Sequence, residues 1–128
     1  MVTILVVDDN LSQRQMISQL LREKGLNVTE ARNGSEALQK IRLQCPDLVL
    51  LDIIMPLING YELCRLLKSH PKTQKVPIVL CSAKAENFDR YWGMKQGADA
   101  YIAKPFHPQE LLGTLSQLLR GRQAAISA

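Results

Sequence analysis

The sequence predicts an α/β protein in which a parallel sheet carries helices on both faces. Five short segments rich in β-forming residues alternate with five segments of helical periodicity. Most of the β segments are apolar nearly throughout, without alternating polar positions, which is typical of strands buried on both faces. Alternating strands and helices of this kind favour a doubly wound fold.

The predicted strands are short segments rich in β-forming residues. In order they are Thr3–Val7, Asn27–Ala31, Asp47–Leu51, Pro77–Cys81 and Asp99–Ile102.

The predicted helices follow these strands, each with apolar residues at helical spacing. The stripes are Met16, Ile17, Leu20 and Leu21; Ala37, Leu38, Ile41 and Cys45; Leu63, Cys64, Leu66 and Leu67; Phe88, Tyr91 and Trp92; and Leu111, Leu112, Leu115, Leu118 and Leu119. We expect all five stripes to pack in the core.

Residues at the segment boundaries agree with these limits. Glycines stand where helices should begin or end, at Gly25, Gly34, Gly60 and Gly97. Asn33 with Glu36 three residues later resembles a capping box. Pro108 fits the first turn of the last helix, which makes His107 its N-cap, a weak capping residue.

Composition indicates one domain of a soluble globular protein. The chain has 128 residues, 46% hydrophobic and 22% charged. No apolar run approaches the roughly 18 residues of a membrane helix, and the start MVTILVVDD lacks the features of a signal peptide. The three cysteines have no metal-ligand spacing and cannot all pair within one chain, so we expect reduced thiols in a cytoplasmic protein.

The net charge of +4 and a pI near 9.1 raise the question of nucleic-acid binding. Lys and Arg are scattered along the chain, and no basic run interleaves with aromatic residues. We therefore expect no nucleic-acid partner. The positive charge is also compatible with an acidic protein partner.

Acidic residues end two of the predicted strands. Asp8 and Asp9 follow the first strand and Asp52 follows the third. A strand-end aspartate often only caps the next turn. However, right-handed crossovers bring the carboxyl ends of parallel strands to one edge, where ligands bind in such sheets. If these two strands are neighbours, the three carboxylates converge.

Converging carboxylates repel one another unless a cation neutralises them. Oxygen-only ligands suit Mg²⁺, and the absence of His or Cys at these strand ends, apart from Cys81 beside Ser82, disfavours zinc. Ser82 and Lys104 follow the fourth and fifth strands. Alone, each is typical of a turn or a solvated surface; together with the carboxylates they supply groups that a phosphorylated aspartate needs.

The motifs VVDDN, LLDIIMP followed by NG, CSA and AKPF resemble the receiver domain of two-component response regulators. The resemblance extends from Ile4 to about Leu119. It implies the flavodoxin-like strand order 2-1-3-4-5. We expect a receiver domain over residues 1–120 and a frayed or disordered tail over residues 121–128.

The resemblance also implies roles for individual residues. Asp52 matches the phosphoacceptor, which attacks the phosphohistidine of a sensor histidine kinase or phosphotransfer protein. Asp9 matches the direct Mg²⁺ ligand, Asp8 a ligand that acts largely through water, and Ile54 supplies its backbone carbonyl. The metal set is therefore Asp8, Asp9, Asp52 and Ile54.

Three further positions match the switch machinery of the family. Ser82 matches the switch hydroxyl and Lys104 the lysine that pairs with the phosphoryl group. Pro105 suggests a cis bond after Lys104. Tyr101 matches the switch aromatic, although it could equally be an ordinary half-buried strand tyrosine.

The implied function is that of a signalling phosphoacceptor rather than an enzyme, with at most self-catalysed phosphorylation and dephosphorylation. Its output would be binding of a downstream protein through the face of the fourth helix, fifth strand and fifth helix. The stretch FDRYWGMKQGADAYIAKPF resembles the pilus-motility and phototaxis branch, beside the chemotaxis type. Trp92 could face a partner or be packed.

Two alternatives remain at this stage. The chain could be the receiver part of a larger regulator with an output domain. It could also be a Mg²⁺-dependent phosphohydrolase with an aspartyl-phosphate intermediate, although that class would need a DxD pattern, which neither ILVVDDN nor LLDIIMP provides.

Overall fold

The computed structural model describes residues 1–84 and 86–120, so the tail predicted over residues 121–128 lies outside the described residues. Its strands are β1 Thr3–Val7, β2 Asn27–Ala31, β3 Leu48–Leu51, β4 Ile78–Ser82 and β5 Ala100–Ala103. Its helices are α1 Leu11–Glu23, α2 Gly34–Leu43, α3 Gly60–Ser69, α4 Asn87–Lys95 and α5 Pro108–Leu118.

The strands form one parallel sheet in the order β2-β1-β3-β4-β5, which is the order that the resemblance to receiver domains implies. β1 and β3 are direct neighbours, with Val7 opposite Leu51. The residues that follow these two strands therefore lie side by side at one edge of the sheet.

The sheet divides the core into two layers because successive strand side chains point to opposite faces. Leu5, Val7, Leu51 and Leu80 belong to the layer that includes buried residues of α2 and α3. Ile4, Val6, Leu50 and Val79 belong to the opposite layer, together with buried residues of α1 and α5. Burial on both faces explains the continuous apolar strands.

Three strands begin one residue later than predicted, because Asp47, Pro77 and Asp99 have other roles. The Asp47 carboxylate accepts a hydrogen bond from the Thr3 amide at 2.8 Å. The Asp99 carboxylate accepts one from the Ile78 amide at 2.8 Å. Pro77 has no amide proton, and contributes its carbonyl oxygen to the Val49 amide.

The predicted helix boundaries are supported by local geometry. Asn33 Oδ1 accepts from the Glu36 amide at 2.8 Å, but Glu36 Oε1 accepts from the Arg32 amide, one residue before the position a capping box would use. His107 makes no capping side-chain bond, and Pro108 opens α5. Gly25 and Gly97 follow helices with positive φ values of 84° and 102°.

The expectation that every helical stripe is buried was wrong for α4. Phe88, Tyr91 and Trp92 are 70%, 59% and 42% exposed, and α4 packs on the sheet instead through Gly93, which lies against Leu80 and Tyr101. Met16, Leu66 and Cys45 are likewise exposed. The remaining stripe residues are buried or half-buried. A regular spacing shows which side chains share a face but not what covers that face.

No helix among the described residues is long and apolar enough to cross a membrane.

Candidate functional site

The three aspartates expected at the sheet edge come together. Asp8, Asp9 and Asp52 each offer a carboxylate oxygen, and these oxygens lie within 4.8 Å of one another. Asp8 is 2% exposed, Asp52 is half-buried and Asp9 is exposed. The carboxylates converge because the neighbouring strands β1 and β3 end at the same level, with the Asp52 amide donating to the Val7 carbonyl at 3.0 Å.

Asp52 lies where its carboxylate is partly withdrawn from solvent. Burial raises the pKa of this carboxyl group, and the nearby Asp8 charge adds to the increase. The ammonium group of Lys104 opposes that increase, as does the Ile53 amide, which donates to Asp52 Oδ1 at 2.7 Å. The environment thus disfavours the charged carboxylate even with the Lys104 ammonium group nearby.

Lys104 supplies the ammonium group that opposes this increase. Its Nζ atom donates to Asp8 Oδ2 at 2.8 Å and lies 3.7 Å from Asp52 Oδ2. Burial alone would lower the Lys104 pKa, but the hydrogen bond to Asp8 and the charge of Asp52 outweigh it and the pKa is raised. The Lys104–Pro105 bond is cis, as expected.

Ser82 and Tyr101 lie on the two strands nearest Lys104 in the sheet. Ser82 is fully buried as the last residue of β4, and its Oγ accepts from the Lys84 amide at 3.2 Å. Tyr101 is 9% exposed, and its hydroxyl donates to the Lys84 carbonyl. Burial raises the pKa of Tyr101. Both side chains therefore contact the segment that joins β4 to α4.

The expected site residues other than Tyr101 share one open cleft of about 650 Å³. Its lining includes Asp8, Asp9, Asp52, Ile54, Ser82 and Lys104. Tyr101 is not among the lining residues. Among the described residues of this lining, the ionisable groups are three carboxylates and the ammonium group of Lys104. Oxygen donors with an excess of negative charge fit a hard divalent cation such as Mg²⁺.

Two structural supports of this site were missed from the sequence. Arg14 donates through Nη1 to the Asp8 carbonyl at 2.8 Å and through Nε to Glu30 at 3.0 Å. Gly60 lies so close to the site that a Cβ atom would stand 2.3 Å from the Asp52 carbonyl oxygen. No sequence signal marks Arg14, because Glu30 belongs to a separate strand; Gly60 was identified only as a helix start.

Comparison with known proteins agrees with this geometry. The protein-family model described as the response regulator receiver domain matches residues 4–116 of this chain. Protein PilH of Pseudomonas aeruginosa is 35% identical over 94% of this chain and its own whole length. The DNA-binding response regulator MtrA of Mycobacterium tuberculosis is 42% identical over 91% of this chain, which spans about half of MtrA's length.

Solved structures show the same similarity. Chemotaxis protein CheY4 of Vibrio cholerae superposes with a TM-score of 0.87 at 33% identity, covering 93% of this chain and 99% of that one. The receiver domain of the Francisella response regulator 1452 gives 0.88 at 29% identity, covering 96% and 100%. With its flavodoxin-like fold and its match to the family model, the chain belongs to the response regulator receiver domain family.

Proposed function

We propose that this protein is a response regulator that accepts a phosphoryl group on Asp52 from a sensor histidine kinase or phosphotransfer protein. The observation that carries this proposal is the position of the Asp52 carboxylate in an open cleft, beside two other carboxylates and 3.7 Å from the Lys104 ammonium. This arrangement combines a nucleophile with a charge that can stabilise a transferring phosphoryl group.

In the proposed transfer, an Asp52 carboxylate oxygen attacks the phosphorus of a phosphohistidine. A P–O bond forms and the P–N bond breaks, with its electron pair remaining on the imidazole nitrogen. The phosphoryl group then carries charge next to Lys104, which can exchange its contact with Asp8 for a phosphoryl oxygen. The Ser82 hydroxyl can donate to another oxygen after rotating from the Lys84 amide.

The metal ligands in this proposal are Asp9, Asp8, Asp52 and the backbone carbonyl of Ile54. When bound there, Mg²⁺ would offset the negative charge of the carboxylates and of the transferring group. Asp8 is already engaged, since it accepts from both Lys104 and the Asn10 amide at 2.9 Å, which supports a role for Asp8 through water.

The output in this proposal is binding of a downstream protein at the face of α4, β5 and α5. The exposed aromatic side chains of α4 support this assignment, because large exposed apolar patches mark interaction sites. Tyr101 links this face to the cleft through its hydroxyl bond to the Lys84 carbonyl, two residues beyond Ser82. Movement of Ser82 toward a phosphoryl group would disturb that bond and shift the populations of the conformations that this face adopts.

The similarity to PilH over its whole length supports a cytoplasmic single-domain regulator of pilus motility, chemotaxis or phototaxis. The similarity to the DNA-binding regulator MtrA favours instead a receiver joined to an output domain. Two observations distinguish these alternatives. Capture of a motility component by the phosphorylated chain would support the first. A full reading frame that also encodes a DNA-binding domain would support the second.

Phosphotransfer tests the proposal. Candidate histidine kinases, labelled on their own histidine, should transfer label to the wild type in the presence of Mg²⁺ and not to Asp52→Asn. A general phosphomonoester serves as the second substrate. Repeated turnover of that ester would support a phosphohydrolase, and the absence of any transfer from any donor would contradict phosphoacceptor function.

A further inference from the structure

A second cavity lies away from the carboxylate cleft, between the C-terminal halves of α2 and α3. It has a volume of about 420 Å³, within the roughly 300–1,000 Å³ typical of small-molecule sites. Leu38 and Ile41 of α2 and Leu66 and Leu67 of α3 form its apolar walls. Because helices run antiparallel to the strands in this fold, the cavity lies at the N-terminal ends of the strands, whereas Asp52 lies at their C-terminal ends.

The polar groups around this cavity are cationic or neutral. Arg42, Cys45, His70, Lys72 and Thr73 complete its lining, and no carboxylate is present among the described residues that line it. Within residues 1–84 and 86–120, neither Arg42 nor Lys72 forms an ion pair. Arg42 and Lys72, both exposed, therefore line an apolar cavity, and neither has a carboxylate partner among the described residues.

Two further contacts define what the polar groups can offer. The Thr73 hydroxyl donates to the Leu67 carbonyl at 2.6 Å, so its proton is already used. The His70 Nδ1 atom accepts from the Lys72 amide at 3.2 Å, which leaves Nε2 to carry a proton. The cavity thus presents hydrogen-bond donors and positive charge, which complement an anionic acceptor.

We propose that the cavity between α2 and α3 binds a small apolar monoanion, of the medium-chain carboxylate type, with its apolar body against Leu38, Ile41, Leu66 and Leu67 and its carboxylate beside Arg42 and Lys72. The combination of apolar walls and two lining cations that have no carboxylate partner within residues 1–84 and 86–120 carries this assignment. A cationic ligand would be repelled, and a neutral one would leave the charges unused. Occupancy leaves the Asp52 cleft open, because the two sites share no lining residue.

The probe is decanoate at concentrations well below those at which it forms micelles, with decanol as a neutral control of equal chain length. Titration calorimetry of the wild type should show saturable binding of decanoate. Arg42→Gln/Lys72→Gln should weaken this binding at least tenfold while leaving the weaker decanol binding unchanged. Lys95→Gln/Arg120→Gln, which removes two cations outside the cavity, should bind decanoate like the wild type.

Cys45 gives an independent readout because it is exposed and lines the cavity. Saturating decanoate should slow its alkylation by iodoacetamide, and Cys45→Trp, which fills the cavity while keeping both cations, should abolish decanoate binding. Circular dichroism confirms that each variant is folded. Absence of saturable binding, equal binding of decanoate and decanol, or undiminished binding by Arg42→Gln/Lys72→Gln would overturn the proposal.

Discussion

The Nζ atom of Lys104 lies 2.8 Å from Asp8 Oδ2, although 96 residues separate the two along the chain. Lys104 follows β5 and Asp8 follows β1, so the pair reaches across the ends of β3 and β4. Both side chains are largely withdrawn from solvent, at 13% and 2% exposure. Because this ion pair is buried, the stability of the fold depends on the charges of the side chains in the cleft.

Replacing Lys104 by Met should destabilise the protein, because it leaves the buried Asp8 charge without its partner. Breaking a buried ion pair from one side costs about 3 kcal/mol or more. In metal-free buffer, Lys104→Met should therefore unfold at markedly lower urea concentration than the wild type. Added Mg²⁺ should recover part of the loss, since it can neutralise the same carboxylates.

The matched control for this change is Lys95→Met on the exposed side of α4. Its free energy of unfolding should stay within about 0.5 kcal/mol of the wild type. Equal urea midpoints for Lys104→Met and wild type in metal-free buffer would show that the pair contributes nothing to stability.

Gly60→Ala should distort the backbone at Asp52 and Ile53. The new Cβ atom would lie 2.3 Å from the Asp52 carbonyl oxygen and 2.7 Å from Ile53 Cα, and backbone atoms cannot move aside as a flexible side chain can. We expect a loss of about 2 kcal/mol from overpacking and slower phosphorylation of Asp52. Urea unfolding and the rate of labelling measure the two effects.

Gly113 provides the comparison, because a Cβ atom there meets nothing within 4 Å and the residue lies inside α5. Gly113→Ala should stabilise the protein by up to about 1 kcal/mol through helix propensity. If both alanine variants behaved alike, the close packing of α3 against Asp52 would not be real.

The three cysteines should differ sharply in reactivity. Burial raises the pKa of Cys64 to about 11 and that of Cys81 to about 12, so almost no thiolate forms at pH 8, and both side chains are shielded from reagent. Cys45 is exposed. Iodoacetamide at pH 8 should therefore modify Cys45 alone in the native protein and all three in urea, as read by peptide mass spectrometry. Rapid native labelling of Cys81 would contradict the burial of β4.

Phe88→Ser tests the exposure of α4. Because Phe88 is 70% exposed, its replacement should change the free energy of unfolding by no more than about 0.5 kcal/mol. Leu111→Ala, at a fully buried position of α5, should by contrast cost about 2–5 kcal/mol. A large loss of stability in Phe88→Ser would mean that α4 packs more deeply than the structure indicates.

The sequence was most informative where one local rule determines the result. Strand positions were predicted to within a residue because buried parallel strands are apolar runs, and the convergence of Asp8 with Asp52 followed once their strands were taken as neighbours. Sequence reasoning failed where the environment of a residue depends on how a second helix or strand packs against it. The spacing of Phe88 and Trp92 is the same for a buried stripe as for an exposed one, and the contact of Arg14 with Glu30 depends on how α1 packs against β2.

The central claim is that Asp52 is the residue that accepts the phosphoryl group. Intact-protein mass spectrometry after incubation with a small-molecule phosphoryl donor tests it most directly, with wild type and Asp52→Asn compared with Mg²⁺ and with a chelator. We predict that the wild type gains one phosphoryl group only when Mg²⁺ is present, and that Asp52→Asn gains none. Equal phosphorylation of Asp52→Asn, or phosphorylation of the wild type unaffected by the chelator, would contradict the claim.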